Sequence, residues 1–359
     1  MLQSDREPVL SAINQSNAAT PSSPSPKSDP GDSIEEKLNS AMEIASRCFL
    51  VCLLAFLLSI VGDLLDLIKK FHSMGFSSNV EDFLWVAPGY LHSLTVYYIC
   101  TTYLSKYVKP IISESKMRSN ESEASQLWRY GNLLFGIYYY IFSYGTLLYL
   151  VWGTDYCPKL YGGTLDLGNT IRIWPYEAPY VLRVFYMLTL GHHSERLVKE
   201  IVHHKQKAFW TLFFHHLLTM LLLILSFFSK HYQYGVVILL IHDFTDIWLN
   251  FSRLFREMRE PYYKIALITF GVCVLSWIHS RLYLFIKEVF IDGFVYSLLR
   301  LPKMISEHMP VHWFFLFALL LLLFLNVFWF MQMIKIIYIV YVKRNKQLPF
   351  EDHKTQKSQ

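Results

Sequence analysis

Two histidines, His215 and His216, stand side by side in "FFHHLLTMLLLILSFF", a stretch otherwise suited to the interior of a lipid bilayer. An ionisable side chain in that setting is costly, and its presence marks a functional site by default. The next apolar stretch, "IHDFTDIWLNFSRLF", adds His242, Asp243, Asp246, Asn250 and Arg253. Residues three and four apart share one face of a helix, so His242, Asp246, Asn250 and Arg253 form a polar stripe with Asp243 on its edge. That stripe is expected to line a bundle interior or a water-filled cavity, opposite the histidine pair. Adjacent helical residues point about 100° apart, so His215 and His216 cannot do identical jobs, and Thr219 follows one turn on. An uncharged imidazole so placed serves as nucleophile or general base, while a neighbouring carboxylate orients it and stabilises the cation that forms. Hydrogen bonding between spans accounts for an isolated histidine. Three histidines and two aspartates on consecutive spans demand more.

These residues need rigid elements to hold them, and composition says which. The chain has 359 residues, of which 53% are hydrophobic and 17% aromatic. Predominantly apolar stretches of span length fall at 47–68, 83–104, 131–152, 179–198, 208–228, 235–255, 263–285 and 313–342, the fourth being the least apolar. The expected fold class is therefore all-α, a polytopic transmembrane helix bundle of about eight spans. Basic residues crowd alternate connections: Lys106, Lys109, Lys116, Arg118 and Arg129, then Arg196, Lys199, Lys205 and Lys207, then Arg253, Arg256, Arg259 and Lys264. The positive-inside rule makes these connections, and both termini, cytosolic. Sequons at Asn14 and Asn120 then face the cytosol and are expected to stay unmodified. The net charge of +5 follows from these juxtamembrane clusters, and no nucleic-acid partner is expected.

Residues 1–41, rich in Ser, Pro and Asn, read as a disordered polar tail, and the first apolar stretch as a membrane anchor. The remaining organisation expected is an N-terminal transmembrane hairpin with a basic loop at 42–126, a catalytic membrane domain at 127–345 and a cytosolic tail at 346–359. Of the five cysteines only Cys157 falls outside the spans, on the lumenal side, so no disulfide framework is expected. No metal site is expected either. The pairs His192/His193, His203/His204 and His215/His216 lack the spacing of metal-binding histidine boxes, and the HxxxH from His308 to His312 is interrupted by Pro310.

The segments "FFHHLLTMLLLILSFF" and "LLIHDFTDIWLNFSRLF", with the late Asn-x-x-Trp at Asn326 to Trp329, resemble the ceramide synthases, acyltransferases of the TLC membrane-domain superfamily. The resemblance extends from about 128 to 343. It implies N-acylation of a sphingoid base by a fatty acyl-CoA in the endoplasmic reticulum membrane, with acyl-CoA as co-substrate and no cofactor. It also implies contact with membrane lipid and leaves homo- or hetero-oligomerisation open. On this basis His215 or His216 is the nucleophile or base, Asp243 and Asp246 orient the imidazoles, and His242 assists proton transfer. Thr219, Asn250, Arg253 and Arg281 become candidate substrate contacts, with Arg253 near the CoA phosphates and Arg281 available to pair with a buried carboxylate. Two departures stand out. Thr245 and Asn250 replace the family's usual Ser and Glu, and "FSRLF" is similar to the translocating-chain-associating membrane proteins, non-enzymatic relatives in the same superfamily.

Overall fold

The computed structural model describes residues 80–108, 123–161, 163–164, 176–202, 209–258, 262–295 and 309–344. Among them the regular structure is helical throughout, without a β-sheet. A 3-10 turn, Val80–Trp85, leads into α1 (Val86–Ile99), which continues through a π turn at Cys100–Leu104 and a final turn at Ser105–Val108. Then follow α2 (Glu123–Val151), α3 (Tyr180–Val202), α4 (Phe209–Phe228) and α5 (Tyr232–Arg256). Helix α6 (Tyr262–Ser276) runs on as a π-helical segment, Trp277–Val295, and α7 (Met309–Arg344) completes the described chain.

Among the described residues five helices are long and apolar enough to cross a membrane, at Leu127–Val151, Phe209–Phe228, Tyr232–Arg256, Lys264–Ile291 and His312–Ile339. The expected spans at 131–152, 208–228, 235–255, 263–285 and 313–342 correspond to these. The stretch at 83–104 is helical but divided among short elements, and α3 carries Arg183, Glu195, Arg196, Lys199 and Glu200, too many charges to qualify. The expected anchor at 47–68, the 1–41 tail, the sequons and the C-terminal tail lie outside the described residues.

Several charges of α3 and its neighbours are paired, and the pairs mark two opposite faces of the bundle. Arg183 Nε lies 2.7 Å from Asp82 Oδ2, and Lys230 pairs with Glu177, which gathers the starts of α1 and α3 with the α4–α5 turn. At the other face Arg129 Nη1 lies 2.8 Å from Glu257 Oε2, joining the start of α2 to the end of α5, and Lys199 pairs with Glu195.

The turn that makes α4 and α5 antiparallel closes by two hydrogen bonds, His231 N to Ser226 O at 2.8 Å and Lys230 N to Phe227 O at 3.2 Å. Lys230 takes the left-handed position, φ 56°, where helix ends ordinarily place glycine. Its ion pair with Glu177 holds it there. Helix α5 is the centre of the bundle, packed against α2, α4, α6 and the π segment. In the π segment the buried residues Trp277, Arg281, Phe285 and Val289 recur every fourth position. Two of them reach α5: Arg281 pairs with Asp246 and Phe285 packs against His242.

Cys157, expected outside the spans on the lumenal side, does not lie open to solvent. It is fully buried, and burial pushes its thiol up to about 11, so at neutral pH it holds little of the thiolate that labelling reagents attack.

Candidate active site

Helices α2, α3, α4, α5 and α7 enclose a cavity with about 710 Å³ of empty space, the open solvent at its mouth included. Five of the expected site residues line it: His215 and Thr219 from α4, and His242, Asp243 and Asp246 from α5. The prediction that the α5 stripe faces the α4 histidines holds for this part of the stripe. The rest of the wall is chiefly apolar, with Leu222, Leu239, Leu319 and Leu322 among its side chains.

His215 is the histidine of the pair that reaches the cavity. Its ring meets Trp329 edge to face, with centroids 5.0 Å apart, and its Nδ1 is buried without a hydrogen-bond partner. Thr219 Oγ1 donates to the His215 carbonyl at 2.8 Å, so Thr219 is spent on its own helix although it lies on the cavity wall. His216 turns the other way, towards α3, where its ring lies 5.8 Å from that of His193. The two imidazoles do have different surroundings, as their angular separation requires.

The carboxylates are held by partners on α2 and the π segment. Ser143 Oγ donates to Asp243 Oδ2 at 2.6 Å, and Arg281 Nη2 lies 2.7 Å from Asp246 Oδ1. Arg281 also donates to the His242 carbonyl at 2.9 Å and stacks over Trp277, its guanidinium carbon 3.9 Å from the ring centroid. The hydrogen bonds recorded for Asp243 and Asp246 thus fasten α2 and the π segment to α5, and none runs to an α4 imidazole. Arg281 does pair with a buried carboxylate, but behind the cavity wall.

His242 lines the cavity with both ring nitrogens hydrogen-bonded. Its Nδ1 lies 2.7 Å from the Ile238 carbonyl and must carry the hydrogen, while Nε2 lies 3.3 Å from Asn326 Nδ2 and accepts from it. Both ring nitrogens are committed, so His242 needs Asn326 to rotate before it can take up a proton. Asn250 and Arg253 fall outside the cavity lining. Asn250 donates to the Asp246 carbonyl at 2.8 Å and fits against Gly136 of α2, where a Cβ would strike its side-chain oxygen. Arg253 lies exposed on the last turn of α5. The stripe continues past the cavity lining, and its last members serve helix packing and the surface.

Sequence reasoning missed His193 and Tyr140, both in the cavity wall, and Ser143 behind it. A signal existed for His193: it sits in a histidine doublet inside an apolar stretch, as His215 does. Ser143 and Tyr140 carry no such mark among the many polar and aromatic residues of α2. Among the described residues, no group of three or more His, Cys, Asp or Glu side chains is placed to hold a metal ion.

The family model for the TLC domain matches residues 129–335, more than half of the chain, and these contain every cavity-lining residue. The chain belongs to the TLC domain family. This TLC-domain protein is 28% identical over 175 residues to sphingosine N-acyltransferase lag1 of Schizosaccharomyces pombe, covering 46% of this chain and 43% of that protein. It is also 28% identical over 116 residues to human ceramide synthase 1, covering 30% of this chain and 32% of the relative. The chain thus spans less than half the length of these curated relatives.

One consequence concerns Ser143. A hydrogen bond to a carboxylate contributes about 1.5–3 kcal/mol, so Ser143→Ala is expected to lower turnover roughly tenfold to a hundredfold if Asp243 must hold its orientation in the transition state. Steady-state rates of the purified variant, alongside its thermal melting, check this: an unchanged rate removes Asp243 from the working site.

Proposed function

We propose that this protein is a ceramide synthase: it transfers a fatty acyl group from acyl-CoA to the amine of a sphingoid base, in the endoplasmic reticulum membrane, with both termini in the cytosol. The observation that carries the reading is that His215, His242, Asp243 and Asp246 share one largely apolar cavity inside the bundle. Both substrates are lipids, and a cavity at membrane depth takes up their chains directly. The relatives' names point to the same chemistry.

The reaction breaks the thioester C–S bond and forms an amide C–N bond. His215, whose ring faces the cavity, acts at the acyl carbon or on the amine. In the covalent route the imidazole attacks the acyl carbon and CoA departs as thiolate. The amine then displaces the imidazole, and its proton neutralises the thiolate. In the general-base route the imidazole takes the amine proton as the amine attacks the thioester directly, then returns it to the departing thiolate. Trp329 and the α4 backbone fix the ring in either case, and the packed apolar wall excludes water that would hydrolyse the acyl group.

Release of CoA thiol tests the function. Purified protein mixed with acyl-CoA and a sphingoid base is expected to release CoA continuously, with an N-acyl product formed one for one. No amine-dependent release with any acyl-CoA, from protein that melts cooperatively, rejects the enzyme and favours a role like that of the non-enzymatic relatives that "FSRLF" resembles.

A further inference from the structure

The cavity has two unlike ends. Near one lie His215 and Asp246. At the other lie Tyr186, Ser226, Tyr234 and Gly235. The distance between the ends follows from the helices: from His215 to Ser226 along α4 is about 16 Å, and from Asp246 to Tyr234 along α5 about 18 Å, at ~1.5 Å per residue.

The far end is closed by satisfied, buried groups. Ser226 Oγ donates to the Leu222 carbonyl at 2.7 Å, so the hydroxyl of Tyr186 donates to Ser226 in turn. Tyr186 is fully buried, and its ring meets Tyr232 edge to face at 5.6 Å. Tyr232 packs on Phe227 at 5.7 Å, which fills the space beneath. Gly235 makes this bar possible: a Cβ there would collide with the Tyr186 hydroxyl, so the phenol reaches across from α3 to the bare backbone of α5. Tyr234 is fixed beside it, donating to the Gly293 carbonyl at 2.9 Å. Displacing Tyr186 breaks a buried hydrogen bond and gains no partner for its hydroxyl.

The geometry points to Tyr186, braced on Ser226, as a floor that sets the length of acyl chain the cavity accepts. The inference rests on the acyl-transfer reading and adds a substrate class to it. An extended alkyl chain advances about 1.25 Å per carbon, from C–C bonds of ~1.5 Å at tetrahedral angles, so about 16 Å takes a chain of roughly 14 carbons whose carbonyl lies at His215. Acyl groups far longer than that have nowhere to put their ends.

The test supplies the purified full-length protein, in nanodiscs, with acyl-CoAs from about 8 to about 24 carbons and sphingoid bases of shorter and longer chain, and reads each N-acyl product by mass. The wild-type profile is expected to peak near 14 carbons and to fall at least about tenfold by 20, as the depth dictates. Tyr186→Ala removes about 5 Å of obstruction and shifts the peak up by about four carbons, whereas Leu239→Trp, one turn nearer the mouth, shifts it down by a similar number. Unchanged profiles in both variants overturn the proposal. So does a variant that alters tolerance for sphingoid-base length while the acyl profile stays fixed, since the cavity would then hold the other chain.

A second arm is independent of turnover and of the stability of Tyr186→Ala. Wild-type protein is irradiated with acyl-CoA of about 14 carbons bearing a terminal diazirine, a chain matched to the cavity's depth. Label on the peptides containing Tyr186 or Ser226 supports the floor, and label confined to other peptides overturns it. Floor labelling without any N-acyl product would leave the acyl-binding floor intact and reject the transferase reading.

Discussion

Alanine at His215 is expected to abolish N-acyl product formation, a loss of at least about three orders of magnitude, while the protein extracts and melts like wild type. The magnitude follows from removing the nucleophile or base of an acyl transfer, whose effect on rate is of that order. The fold should survive because His215 forms no side-chain hydrogen bond that the bundle needs; its Nδ1 is unpartnered, and its one recorded ring neighbour besides His216 is Trp329. Alanine at His216 is expected to be inactive or nearly so for a different reason. Its ring faces His193 on α3, and its removal leaves a gap that lets His215 turn. The two losses are separable by titrating back small amines. Exogenous imidazole is expected to restore measurable turnover to His215→Ala, whose cavity it can enter, and to leave His216→Ala unchanged. Full activity in His215→Ala would exclude this imidazole from the chemistry.

The second large effect concerns Arg281. Its guanidinium is almost wholly enclosed, its side chain only 3% exposed, and it pairs with Asp246 at 2.7 Å. Breaking a buried pair by removing one member costs about 3–5 kcal/mol, because the other charge is left without a partner. Arg281→Met is therefore expected to lower the melting temperature sharply and to cut the yield of folded protein. Arg281→Met combined with Asp246→Leu replaces both charges by apolar side chains. It should recover most of the stability and none of the activity, since Asp246 also lines the cavity. Thermal melting of the two single variants and the double variant, read as a cycle, provides the check. Additive destabilisation would mean that the pair does not couple the π segment to α5.

The helices and the first half of the site were legible because both depend on local periodicity. Apolar runs of span length became α2, α4, α5, α6 with its π extension, and α7. Spacing of three and four placed His242 and Asp246 on one face of α5, and the angular argument separated His215 from His216. Side-chain partners were another matter. Ser143 meets Asp243 because α2 crosses α5 at that height, and Arg281 reaches Asp246 because the π segment packs along α5; neither crossing is written in a local pattern. The same holds for His193 and Tyr186. Helix α3 is the least apolar of the long helices, yet its buried face supplies part of the cavity wall. Asn250 and Arg253 were assigned by extending the stripe to the end of α5, whereas the cavity lining on that helix ends at Asp246 and α2 closes over Asn250 through Gly136.

The most direct test of the central claim, that the His215 imidazole handles the acyl group inside this cavity, follows the acyl carbon itself. Purified protein is mixed with carbonyl-labelled acyl-CoA alone, and free CoA and intact protein mass are recorded before and after a sphingoid base is added. On the covalent route CoA appears in a burst of at most one equivalent per site. The acyl mass then resides on a peptide containing His215, and the base discharges it as labelled amide at the rate of turnover. On the general-base route neither CoA nor adduct appears until the base is added, whereupon labelled amide forms directly. In both cases His215→Ala yields none. Labelled amide formed by His215→Ala at the wild-type rate, or an acyl adduct on another residue that discharges competently, would contradict the account.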